Sequence, residues 1–136
     1  MKRRILIGYQ VLTGLSDTST GLLLLFAPAL TLRLMGVHVP ADALPFLSYI
    51  GAFVLGVGIA CFYGAILAMG LFFVERLEVV WLLTSITRGL VAVFVGVSIL
   101  RGTLEAGWAT VAVTDGAIAL VQAFALWRGW LALAAE

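Results

Sequence analysis

The chain has 136 residues, of which 63% are hydrophobic and 11% charged, with a formal net charge of +1. A soluble domain is about a quarter charged, and one this small has no interior able to hide so much apolar surface, so lipid is the expected solvent. The near-neutral charge and the lack of a basic patch exclude tracking of a nucleic-acid backbone, and the length allows one domain, residues 1–136.

Four apolar stretches are long enough to cross a bilayer as helices of about 20 residues. The first covers about 5–27. "MKRR" ahead of it and Ala27-Pro28-Ala29 behind it resemble parts of a secretory signal. Asp17 interrupts the would-be apolar core, and that core is too long for a signal, so it reads as a retained span. "PALTLRLMGVHVPADALP" follows. Pro28 suits a helix start and Gly36 a helix stop, which predicts a short helix lying in the outer interface. Asp42 is placed to cap span two (44–69), with Pro45 in its first turn. A brief loop within "FFVERLEVVW" leads to span three (79–100). "RGTLEAG" then makes a tight hairpin into span four (107–127). Short loops make successive spans antiparallel neighbours. The expected fold is therefore all-α, an integral membrane four-helix bundle. Lys2, Arg3, Arg4, Arg76 and Arg128 fall at one side and Arg33 and Arg101 at the other, which puts both termini in the cytoplasm.

The inventory of reactive groups is thin. Cys61 is the single cysteine, so no internal disulfide or CxxC pair exists, and it reads as a small buried apolar residue. His38 is the one histidine and has no cluster around it, so neither a metal site nor a bis-His haem is expected. The sole lysine is Lys2, which excludes a Schiff base within the membrane. No cofactor is expected. Trp81, Trp108, Trp127 and Trp130 lie near span ends and read as interfacial anchors.

Burial alone does not hold helices together in lipid; close approach through small residues and polar contacts must do so. In span two Ala52, Gly56, Ala60, Gly64 and Ala68 recur every fourth residue. This ridge is expected to pack against a neighbouring helix, either within the chain or across a homo-oligomer seam.

Span one carries Gln10, Thr13, Asp17 and Thr20 at steps of three, four and three, on one face flanked by Gly14 and Gly21. Span three has Thr84 and Arg88 four apart. Span four has Asp115 and Gln122 seven apart. At about 1.5 Å of rise per residue, Asp17 and Asp115 lie roughly 18 Å, and Arg88 about 14 Å, above the inner boundary. Two aspartates and an arginine on three helices are thus expected to meet near the midplane. An isolated charge there costs about 2.5–3.5 kcal/mol, which pairing offsets. Two carboxylates against one guanidinium leave a negative charge over, so the set is expected to hold a proton near neutral pH. Such a set either fixes helix register or forms a polar cavity that binds a small ligand or relays protons. Ser16, Thr18, Ser19, Ser85 and Thr114 align less well and read as hydroxyls bonding back to their own helices.

The stretch "FAPALTLRLMGV" followed by "LPFLSYIGAFVLGVGIACFYGAI" resembles the small DoxX-like four-helix bacterial membrane proteins, as does the arginine in "SITRGLVAVFVG". The resemblance covers most of the chain. It implies a four-helix bundle in a bacterial inner membrane. DoxX itself is associated with quinone-linked sulfur oxidation and with membrane oxidoreductase complexes, but no catalytic motif carries over to this chain. The resulting expectation is a non-enzymatic subunit or accessory protein of a larger membrane assembly, with the bilayer and a homo-oligomer or membrane-protein partner around it. The alternatives are a proton-linked transporter of a small solute, lipid or quinone working as an oligomer, and, last, an enzyme acting on lipid or quinone.

Overall fold

The computed structural model describes residues 2–70 and 74–135, and every regular element among them is helical. In chain order these are α1 (Lys2–Phe26), α2 (Pro28–Met35), α3 (Leu44–Met69), α4 (Val74–Leu100), α5 (Ala109–Trp127) and α6 (Trp130–Ala135). Single 3₁₀ turns at Ala41–Ala43 and Ala106–Trp108 lead into α3 and α5.

Three helical stretches are long and apolar enough to cross a bilayer: Ala41–Met69, Glu75–Leu100 and Ala106–Trp127. Their outward faces carry large exposed apolar side chains, among them Phe46, Phe53 and Ile66 on α3, Leu90, Val93 and Phe94 on α4, and Leu120 on α5. Apolar area on that scale fits a membrane-embedded protein. α1, with 25 residues, is about as long as the others, but Gln10, Asp17 and the hydroxyls from Thr13 to Thr20 dilute its hydropathy.

Contacts group the chain into two compact units, Arg4–Ile66 and Met1–Arg3 with Leu67–Glu136. In the first unit α1 and α3 run antiparallel with their backbones nearly touching. A Cβ built on Gly21 meets the Leu55 nitrogen at 2.5 Å, one on Gly51 meets the Leu25 nitrogen at 2.6 Å, and one on Gly58 meets the Thr18 nitrogen at 2.6 Å. Gly14 lies against Phe62, with 3.2 Å between its built Cβ and the ring. Positions 51, 55, 58 and 62 of α3 thus face positions 14, 18, 21 and 25 of α1, a spacing of alternating threes and fours.

That seam corrects the expectation of one ridge at Ala52, Gly56, Ala60, Gly64 and Ala68. Gly64 and Ala68 are buried and Ala60 is half-buried, but Ala52 and Gly56 are exposed, and a Cβ at Gly56 meets nothing within 4 Å. A helix turns about 100° per residue, so a strict every-fourth row winds by about 40° per step and by about 160° from Ala52 to Ala68. Such a row cannot face one neighbour along its whole length.

The helix ends follow the expected chemistry in one place and depart from it in two. α2 closes in a Schellman turn: Gly36 takes φ 68°, the Val37 N–H donates to the Leu32 carbonyl at 3.0 Å and the Gly36 N–H to that of Arg33 at 3.2 Å. Buried Val37 and Leu32 supply the apolar contact that accompanies such turns. Asp42 does not cap α3. The 3₁₀ turn already satisfies the first N–H groups, Ala43 to Pro40 at 3.0 Å and Leu44 to Ala41, and leaves Asp42 exposed. Nor is "VERLEV" a loop, because α4 begins at Val74. Glu75 favours the positive end of the helix, and Leu77 is buried, so the helix extends past the expected boundary. Leu71, Phe72 and Phe73 of that loop lie outside the described residues.

In the second unit, α4 and α5 form an antiparallel pair closed by the "RGTLEAG" turn. Gly102 takes φ 71°, and the N–H groups of Thr103 and Leu104 both reach the Ser98 carbonyl, at 2.9 and 3.2 Å. Small residues interlock along the pair: a Cβ on Gly116 lies 3.5 Å from that of Ala92, and one on Gly89 lies 4.0 Å from that of Ala119. Arg3 donates from Nε to the Ala68 carbonyl at 2.9 Å and from Nη2 to that of Met69, neutralising carbonyls that α3 leaves open at its end. The sequence showed Arg3 only as part of an orientation signal. α6, not expected from the sequence, follows a left-handed Gly129 (φ 61°).

Candidate functional site

The buried polar groups of the second unit lie on the facing sides of α4 and α5. Leu77, Trp81, Thr84, Ser85, Arg88, Val95 and Ser98 make one buried stripe along α4. Trp81 belongs to it at 4% exposure, which corrects its reading as an interfacial anchor. Position 81 falls a turn before Thr84 and Ser85 on the inward face, and helical phase decides over nearness to the span end. Trp108 is half-buried, while Trp127 and Trp130 are exposed.

Two polar rungs cross the α4–α5 seam. Arg88 Nη1 meets Asp115 Oδ1 at 2.5 Å. Gln122 Nε2 donates to Thr84 Oγ1 at 3.0 Å, and that hydroxyl in turn donates to the Val80 carbonyl at 2.8 Å. The rungs are four residues apart on α4 and seven apart on α5, about 6 Å and about 10.5 Å of rise. The long arginine side chain absorbs the mismatch. The Gly89–Ala119 and Ala92–Gly116 approaches lie just past Arg88 on α4 and between Asp115 and Gln122 on α5, so small residues and polar contacts act on the same seam. Each interhelical hydrogen bond of this kind contributes about 0.6 kcal/mol on average in membranes. A charge pair matters more, because each partner removes the cost of leaving the other alone in a medium of low dielectric.

Gln10, Thr13 and Asp17 lie on α1, in the other unit. Gln10 is 0% exposed, and neither its Nε2 nor its Oε1 has a hydrogen-bond partner among the described residues. Thr13 is buried and bonds back to the Tyr9 carbonyl at 2.9 Å and the Gln10 carbonyl at 3.3 Å. Asp17 is half-buried, and Thr20 is exposed rather than on the inward stripe. The buried face of α1 is instead completed by Gly14, Gly21 and Leu24. At about 100° per residue Thr20 comes round to about 80° from Gln10, at the edge of that face, and Gly21 holds the contact. Ser85 and Thr114 bond to carbonyls of their own helices, at 2.9 Å to Leu82 and 2.7 Å to Thr110. The close-packing residues Gly51 and Gly58 were hidden in the sequence by the more regular row beside them.

No three His, Cys, Asp or Glu side chains among the described residues are grouped to hold a metal ion. What the α4–α5 arrangement can do is hold two helices in one register at one depth. Compared with protein-family models, with curated proteins and with solved structures, the chain matches none.

Proposed function

We propose that the chain is a non-enzymatic, multi-pass membrane protein that works as a subunit of a larger membrane assembly. In this reading α1 is a fourth span, the helices form an antiparallel bundle with both termini in the cytoplasm, and the membrane is a bacterial inner membrane. The observation that carries the reading is the Arg88–Asp115 pair, at 2.5 Å across the α4–α5 seam. The strongest charges at mid-depth are engaged with each other, in a contact that sets helix register. The outward surface offers apolar side chains and the open stretch of α3 around Ala52 and Gly56, where a neighbouring helix can approach closely. The resemblance to DoxX-like proteins points the same way.

Gly56→Leu tests it, because Gly56 faces open space and the substitution leaves the chain's own packing intact. Solubilised gently from native membranes, the wild type should migrate on a native gel as a complex well above its monomer mass. Gly56→Leu should shift most of it to the monomer. A monomeric wild type, or a complex indifferent to the substitution, would count against the proposal.

The second reading, a proton-linked transporter acting as an oligomer, draws on Gln10 and on the carboxylates of Asp17 and Asp115. A wholly buried amide with no partner among the described residues costs about 1–3 kcal/mol, which a bound polar guest would offset. Solute uptake by proteoliposomes that is unchanged by Asp17→Asn and Asp115→Asn would sink it.

A further inference from the structure

The end of α5 carries an aromatic cluster with a cation on it. Phe124 and Trp127 have ring centroids 5.9 Å apart. The left-handed turn at Gly129 brings Trp130 back to 6.2 Å from Phe124, edge to face at 78°. The Arg128 guanidinium carbon lies 6.0 Å from the Phe124 centroid. Trp127 is 77% exposed and Trp130 54%, so the cluster faces outward although Leu131 behind it is buried. Arg128 is exposed, and no carboxylate among the described residues pairs with it. The apolar stretch Ala106–Trp127 ends at this point, which puts the cluster at the boundary between acyl chains and headgroups.

We propose that Phe124, Trp127, Arg128 and Trp130 form a docking site for an anionic phospholipid, with Arg128 on the phosphate and the two indoles flanking the upper acyl chains. This rests on the reading of α5 as a span. Charge complementarity selects the occupant. A guanidinium offers several parallel N–H donors suited to phosphate oxygens, and it is weakly hydrated, so it gives up water readily. The Phe124 face below it steadies the guanidinium at the edge of cation–π range. Indoles prefer the headgroup level, where the ring is apolar and the N–H stays wet. Gly129 has a defined part: its positive φ is what returns Trp130 to the cluster, and a side chain there is strained.

The test uses bilayers of phosphatidylcholine and phosphatidylglycerol in which one lipid or the other is brominated, so that it quenches nearby tryptophan. In a Trp108→Phe background, with Trp81 buried, the accessible signal comes from Trp127 and Trp130. Brominated phosphatidylglycerol should compete about fivefold better than brominated phosphatidylcholine, the effect of one interfacial cation. Arg128→Gln should abolish that preference and Arg128→Lys should keep part of it. Equal quenching by the two lipids in the Arg128 protein, or a preference that survives Arg128→Gln, overturns the proposal. A Trp127→Phe/Trp130→Phe protein, reporting through Trp108, separates the two failures. If Trp108 is quenched while Trp127 and Trp130 are not, a protein partner covers the cluster and only the lipid site is lost. If no tryptophan is quenched, the membrane reading falls with it.

Discussion

Arg88 and Asp115 show how residue identity and position combine. A guanidinium and a carboxylate at 2.5 Å, one on each of two packed helices, need each other more than the helices need the pair. Removing one partner of a buried pair costs about 3–5 kcal/mol, whereas replacing both with apolar side chains of similar volume is close to neutral. Asp115→Leu is therefore expected to be strongly destabilising, Arg88→Met nearly as much, and the double variant to recover most of the loss. Reversible unfolding in bicelles titrated with sodium dodecyl sulfate measures this. Additive losses in the double variant would show that the two side chains are not coupled. The residue types and helical phases of the pair were visible in the sequence. That Asp115 meets the arginine as closely as 2.5 Å was not, because depth alone gives no distance between side chains.

At the scale of the helix, glycines decide how near two backbones come, and their value depends on which face they occupy. Gly58 and Gly56 are two residues apart in α3, yet a Cβ on the first lies 2.6 Å from the Thr18 nitrogen and one on the second meets nothing. Gly58→Ala must push α1 and α3 apart and is expected to cost about 2 kcal/mol, within the range for overpacking. Gly56→Ala should be neutral or stabilising by up to about 1 kcal/mol, since alanine is the better helix former. The same bicelle titration separates them, and equal effects would dissolve the α1–α3 seam. Four of the helices were legible from hydropathy and length, and α2 from Pro28 and Gly36. Hidden were the start of α4, whose charged first turns look like a loop, and α6, too short for any periodic signal.

For the molecule as a whole, the count of crossings is the quantity with consequences. α3, α4 and α5 qualify as spans on length and composition, and three crossings place the chain before α3 and the C-terminus on opposite sides. If α1 also crosses, the termini return to the same side, the arrangement expected from Lys2, Arg3 and Arg4 at one end and Arg128 at the other. Cysteines added ahead of Met1 and after Glu136, one at a time in a Cys61→Ser background, should both react with an impermeant maleimide only from the cytoplasmic face. Labelling from opposite faces would leave α1 in the interface and remove the fourth span.

Composition and the length of each apolar run were enough to determine that this chain is helical and that lipid surrounds much of it, because the energy of bringing peptide groups into hydrocarbon admits few other solutions. Which faces meet was decided only by tertiary packing. The even row from Ala52 to Ala68 is the more conspicuous pattern on paper, but Gly51, Leu55, Gly58 and Phe62 carry the contact. A straight partner follows a stripe of alternating threes and fours, while a row of fours winds away from it. Likewise Trp81 points inward and Trp127 outward, although both stand near the ends of apolar runs in the sequence. Hydropathy reports how much apolar surface a helix has, and only a neighbouring helix determines which side of it is covered.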